Sequence, residues 1–149
     1  MDSSNQFIAC VAIIGKQDEP IIIRSSVECQ TELMFHFLIH SSITLLNEKV
    51  QVSKTLGNEF NPFLGLISSS AELYVYGYIT KSNLKFICIT YQKVGEELLQ
   101  SFFKSFHELY VHTVSNPFTN SSKDILTSNS FINKVDLLIK NTEDSLHFE

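Results

Sequence analysis

Apolar positions along the chain fall into two distinct periods. Phe7–Ile14 is apolar in both alternating sets: Phe7, Ala9, Val11, Ile13 and Ile8, Cys10, Ala12, Ile14. A strand with that pattern is covered on both faces of its sheet. Gly15-Lys16-Gln17-Asp18-Glu19-Pro20 is a turn, and Ile21-Ile22-Ile23-Arg24 reads as the second strand of a hairpin. From about Gln30 to Gln51 the period becomes helical. Placed at about 100° per residue, Met34, Phe35, Leu38, Ile39, Ile43, Leu45, Leu46 and Val50 share one half of the circle, with Ser42 at its centre. That half is the expected core face. The other half carries His36, His40, Asn47 and Glu48, and also Leu33, Phe37 and Thr44 nearly in line.

Asn58–Asn61 is a turn, and three β-rich runs follow, near Phe63–Ile67, Glu72–Thr80 and Leu84–Tyr91. Ser68-Ser69-Ser70 and Lys81-Ser82-Asn83 are their expected connectors, and links this short predict an antiparallel meander. Glu96–Thr113 is a clean amphipathic helix. Leu98, Leu99, Phe102, Phe103, Phe106, Leu109 and Tyr110 share its inner face; Glu97, Lys104, Ser105, Glu108 and His112 share the outer one, with His107 also placed on the solvent side. Pro117 blocks continuation of this helix. Phe131–Lys140 is a shorter helix with Ser128 as N-cap. Residues 1–6 are expected to be flexible, 7–140 to form one domain, and 141–149 to be a flexible tail.

The order β-β-α-β-β-β-α-α predicts an α/β layered domain: a five-stranded, antiparallel-rich sheet with one helix on one face and two on the other. Strands one and five are expected to be neighbours at the centre of the sheet.

Composition narrows the function. The chain has 149 residues and a formal charge of −5, with 44% hydrophobic and only 18% charged residues. The usual charged share is ~25%. Twelve Phe and five Tyr exclude a wholly disordered chain. The mild acidity argues against nucleic-acid binding. Cys10, Cys29 and Cys88 form no CxxC pair, so buried free thiols in a reducing compartment are expected. The run Phe7–Ile14 is too short to span a bilayer and lacks a basic flank, so it reads as neither an anchor nor a signal peptide. Asn120-Ser121-Ser122 matches a glycosylation sequon, which is idle without secretion. The chain therefore reads as cytoplasmic.

Several blocks of residues together resemble the sedlin-like subunits of the trafficking protein particle (TRAPP) complex, most closely its "subunit 2-like" branch. They are Cys10–Lys16 with Pro20 and Ile23-Arg24-Ser25; Glu32–Phe37, Ile39–Ile43 and Glu48-Lys49; Leu64-Gly65-Leu66, Val75–Thr80 and Leu84-Lys85-Phe86; and Phe102-Phe103-Lys104, Asn116-Pro117-Phe118 and Phe131. The resemblance implies a longin-like (SNARE-like) fold. It also implies a non-enzymatic place in a multisubunit tether of ER–Golgi and intra-Golgi transport, with peripheral attachment to those membranes through the complex. That complex is a nucleotide exchange factor for a Rab-type GTPase, through residues of other subunits. Relatives commonly carry Asp where this chain has Thr44, and a second Asp where it has Asn47; Glu48 is kept.

No catalytic residue, cofactor site or metal site is assigned. His36 and His40 have the i, i+4 spacing of two metal ligands, but no third or fourth ligand accompanies them and HExxH is absent. Nucleophile elbow, P-loop and Rossmann fingerprints are absent as well. Asn116-Pro117-Phe118 and Asn61-Pro62-Phe63 both spell NPF, a tripeptide read by endocytic EH domains. The structural reading is preferred for each. Pro117 stops a helix, Phe118 plugs the core as the resemblance suggests, and Pro62 opens a strand.

The best candidate surface is the outward face of the first helix: Leu33, His36, Phe37, His40, Thr44, Asn47 and Glu48. It contains no formal charge between Leu33 and Asn47. Apolar side chains on such a face mark a protein partner, unless the C-terminal residues Leu146–Phe148 cover them. Three other readings compete with a TRAPP-type subunit. A regulatory SNARE domain would need a following heptad segment and anchor, a coat small subunit would be found with coat partners, and a small-ligand binder would need a pocket with convergent polar groups.

Overall fold

In the computed structural model, residues 8–25, 29–57, 62–70, 73–115 and 129–147 are described. The elements run β1 (Ile8–Ile14), β2 (Pro20–Ser25), α1 (Cys29–Thr55), β3 (Phe63–Ser70), β4 (Leu73–Ile79), β5 (Lys85–Thr90), α2 (Glu96–Val114) and α3 (Asn129–His147). The five strands form one sheet in the order β2-β1-β5-β4-β3, so β1 and β5 are neighbours as expected. The pairs β1–β2, β3–β4 and β4–β5 are antiparallel. Packing divides the chain into two units, one of residues 9–93 and one of residues 94–149 with Ile8.

The first unit holds the sheet and α1. Every residue of β1 and of β5 is buried, which accounts for their unbroken apolarity. Phe35, Ile39 and Ile43 of α1 pack in one cluster with Cys10, Ala12 and Ile14 of β1, Leu73 and Val75 of β4, and Ile87 and Ile89 of β5. Strands β2 and β3 lie at opposite edges of the sheet, and α1 is the element between them in the chain. It therefore has to cross the sheet. Its 27 residues span about 40 Å at ~1.5 Å each. Four strand spacings of ~4.8 Å amount to only ~19 Å. The helix is longer than the crossing needs; exposed Val52 lies in its last turns and exposed Leu56 just past its end.

Gly77 of β4 marks the closest approach. A Cβ there would stand 3.0 Å from Leu46 Cδ1 and 2.9 Å from Ile67 Cδ1. Absence of a side chain at 77 lets α1 sit close to the sheet. Ser42 is buried as well, and its Oγ has no hydrogen-bond partner among the described residues.

The hairpin turns hold together through polar residues. Asp18 adopts φ +63° in the β1–β2 turn, and Asn83 adopts φ +68° in the β4–β5 turn. Asp and Asn tolerate this region better than other non-glycine residues. Gly15 N–H donates to Glu19 O at 2.7 Å, and Leu84 N–H donates to Thr80 Oγ1 at 3.1 Å.

In the second unit, α2 buries Leu99, Phe102, Phe103 and Phe106, as its period predicts. The rings of Phe102 and Phe106 lie 5.7 Å apart, centroid to centroid. Helix α3 buries Phe131 and Val135.

Four expectations are corrected. Ser68–Ser70 is not a connector: Ser70 pairs with Leu73, so the strand runs to the end of the serine run. Residues 141–147, expected in a loose tail, continue α3, where Thr142 and Glu143 are buried and Glu143 Oε2 accepts the Ile8 N–H at 3.0 Å. Leu45 is exposed, because the buried arc of α1 centres on Leu46, about 40° round from Ser42 at ~100° per residue. His107 is half-buried and not a solvent-side residue; burial lowers its pKa, partly opposed by the neighbouring Glu108 carboxylate. Asn116, Pro117 and Phe118 lie outside the described residues, as do Asn61 and Ser128.

Candidate functional site

The outward face of α1 is built by subtraction. Core contacts take the arc around Leu46, and the opposite arc is left with what the sequence puts there. Leu33 is 78% exposed and Phe37 70%. His40, Thr44 and Glu48 are exposed beside them, and His36 and Asn47 are half-buried. Six of the seven candidate positions fall before Glu48, so no charged side chain interrupts them. Among the described residues, no group of three His, Cys, Asp or Glu that could hold a metal ion exists around His36 and His40 or elsewhere. Of Leu146–Phe148, the expected alternative cover for this face, Phe148 lies outside the described residues, as do the side chains of Leu146 and His147.

Asn47 is not idle on this face. Its Nδ2 donates to Asp18 Oδ2 at 3.5 Å, a long bond. Asp18 Oδ1 in turn accepts from Lys85 Nζ at 2.7 Å. Lys85 is only 1% exposed, so its ammonium needs this partner. The chain Asn47–Asp18–Lys85 ties α1 to the β1–β2 turn and to the first residue of β5. The sequence reading missed it. A lysine set between Leu84 and Phe86 in an apolar run was the available signal, since a buried cation requires an acceptor.

Lys49 was passed over too. Its Nζ donates to Leu64 O at 2.7 Å and Leu66 O at 3.4 Å, reaching from α1 to the edge strand β3. Cys10 and Cys88 are buried free thiols. No helix among the described residues is long and apolar enough to cross a membrane.

A five-stranded sheet in the order 2-1-5-4-3, crossed by a long helix with an apolar outward face, defines an α+β protein of the longin-like class. Comparison with known proteins narrows the class. The family profile described as Sedlin matches residues 13–141. The "trafficking protein particle complex subunit 2-like protein" of Bos taurus is 32% identical over 126 residues, covering 82% of this chain and 89% of that protein. Its namesake in Dictyostelium discoideum is 31% identical over 137 residues, covering 89% and 96%. The "transport protein particle 20 kDa subunit" of Schizosaccharomyces pombe is 28% identical over 124 residues, covering 78% and 86%. The chain belongs to the sedlin family.

Proposed function

We propose that this chain is a non-enzymatic assembly subunit of a TRAPP-type vesicle tether in ER–Golgi and intra-Golgi transport. It works on the cytoplasmic side, held at the membrane peripherally by the complex. Its outward α1 face docks on other subunits of that complex. It serves the complex's exchange activity on a Rab-type GTPase through such contacts and contributes no exchange residue. The relatives' names supply the class of assembly. The observation that carries the docking reading is the pair Leu33 and Phe37, both exposed on a stretch of helix that holds no charged residue from Leu33 to Asn47. Exposed apolar clusters on folded domains mark interaction sites, and a large aromatic is the usual energetic centre.

The test is recovery of the tagged chain from its own cells. TRAPP-like subunits are expected with it. Their absence, or coat subunits in their place, sinks the reading. Phe37→Asp is expected to lower that recovery while leaving the fold intact, and unchanged recovery places the interface elsewhere.

A further inference from the structure

Edge strands carry a standing hazard, because their outer backbone groups can pair with another strand. Proteins blunt them with charged residues or Pro in the strand. Strand β3 is an edge of this sheet, and its sequence, Phe-Leu-Gly-Leu-Ile-Ser-Ser-Ser, contains neither. A short β-forming segment without charge or Pro is the kind that pairs with its own copy. Leu66 of this strand is exposed. The neighbouring side of α1 adds exposed Leu45 and Val52, and exposed Leu56 just past its end continues the same stripe, at i, i+7 and i+11. Edge and stripe together form a surface suited to an added strand.

Among the described residues, the charge that reaches this strand comes from outside it. Lys49 lies within the same helical stripe, and its ammonium bonds the carbonyl oxygens of Leu64 and Leu66. We propose that Lys49 guards the β3 edge against strand addition by a second copy of this chain. Antiparallel pairing of two identical strands about a two-fold axis is self-complementary, so β3 is its own natural partner. Such pairing sets the Lys49 ammonium of each copy at the same edge, where the two repel. It also has to displace each ammonium from its carbonyls. Two interruptions of register in β3, at Phe63/Gly65 and Leu66/Ser68, with Gly65 at φ +75°, add to the protection by twisting the edge.

The test is sedimentation velocity on the purified full chain over a hundredfold range of concentration. Wild type and Lys49→Arg are expected to keep a constant sedimentation coefficient. Lys49→Met keeps the stem and removes the charge, and its coefficient is expected to rise with concentration. Adding Leu66→Lys, which puts a charge in the strand itself, is expected to restore the wild-type value. The proposal is overturned if Lys49→Met behaves as wild type, if wild type rises equally, or if Leu66→Lys fails to reverse the rise. Far-UV circular dichroism checks that Lys49→Met is folded. If it is not, Lys49→Gln replaces it with the same expected outcomes.

Discussion

Helix α2 turns Glu97, Lys104, Ser105, Glu108 and His112 to solvent, whereas α1 turns Leu33, Phe37, His40 and Thr44. Both helices bury a well-formed inner arc: Phe35, Ile39, Ile43 and Leu46 in α1, and Leu99, Phe102, Phe103 and Phe106 in α2. The inner arcs are therefore alike in kind, and the difference lies wholly outside. Water satisfies the polar side chains of the outer face of α2, where Val111 is exposed as well. It gains nothing from the first half of α1, where two large apolar side chains stay wet. An inner face reports what the fold needs, and an outer face reports what the fold leaves for something else. Of these two helices, α1 carries the larger exposed apolar pair, Leu33 at 78% and Phe37 at 70%, against Val111 at 45% on α2.

Four measurements sharpen or break that contrast. Leu46→Ala should show the largest effect, a loss of about 2–5 kcal/mol in urea unfolding, because it empties the packing at Gly77. A loss under about 1 kcal/mol means that the sheet does not hold α1 where the burial pattern places it. Phe37→Asp should change stability by no more than about 0.5 kcal/mol, as exposed substitutions do, yet lower co-recovery of partners more than about tenfold. Its counterpart Lys104→Asp on α2 should leave both unchanged; equal loss from the two removes the asymmetry. Asn47→Asp sets a second carboxylate against Asp18. It should cost under ~1 kcal/mol, because Asp18 is half-exposed, and the cost should shrink in high salt.

Acid dependence should give the smallest effect. His107 has its pKa depressed by burial, so the folded state prefers the neutral ring. Its contribution is complete above the ordinary histidine value of about 6.5 and is lost as pH falls below it through the folded value. His107→Gln should flatten that part of the stability–pH curve.

Element order and sheet neighbours were legible because they rest on period, and period survives any tertiary context. Turns were legible where Gly, Asn and Asp named them, as at Gly15–Glu19 and Asn83. Errors fell where period is weak. Serine sits as readily in an edge strand as in a loop, so Ser68–Ser70 looked like a link. Residues 141–147 are polar apart from Leu146, so their helix rests on few apolar positions and on the buried Glu143 carboxylate receiving Ile8 N–H, a contact distant in sequence. Leu33 and Phe37 were legible as outward because a helical wheel is enough to place them. The bonds of Lys85 to Asp18 and of Lys49 to β3 were not, since each depends on a tertiary approach that a wheel does not contain.

The seam between β1 and β5 has a consequence for how this chain is made. Everything from Gly15 to Leu84 separates the two strands in the chain, though they are neighbours in the sheet. The β1–β2 hairpin can zip at once, and so can the β3–β4–β5 meander, since both rest on local links. Joining them closes the longest loop in the sheet, which is the slow kind of contact. During synthesis β1, apolar on both faces, leaves the ribosome first and waits for β5 to emerge. That interval is when the nascent chain is most exposed to aggregation and most in need of a chaperone.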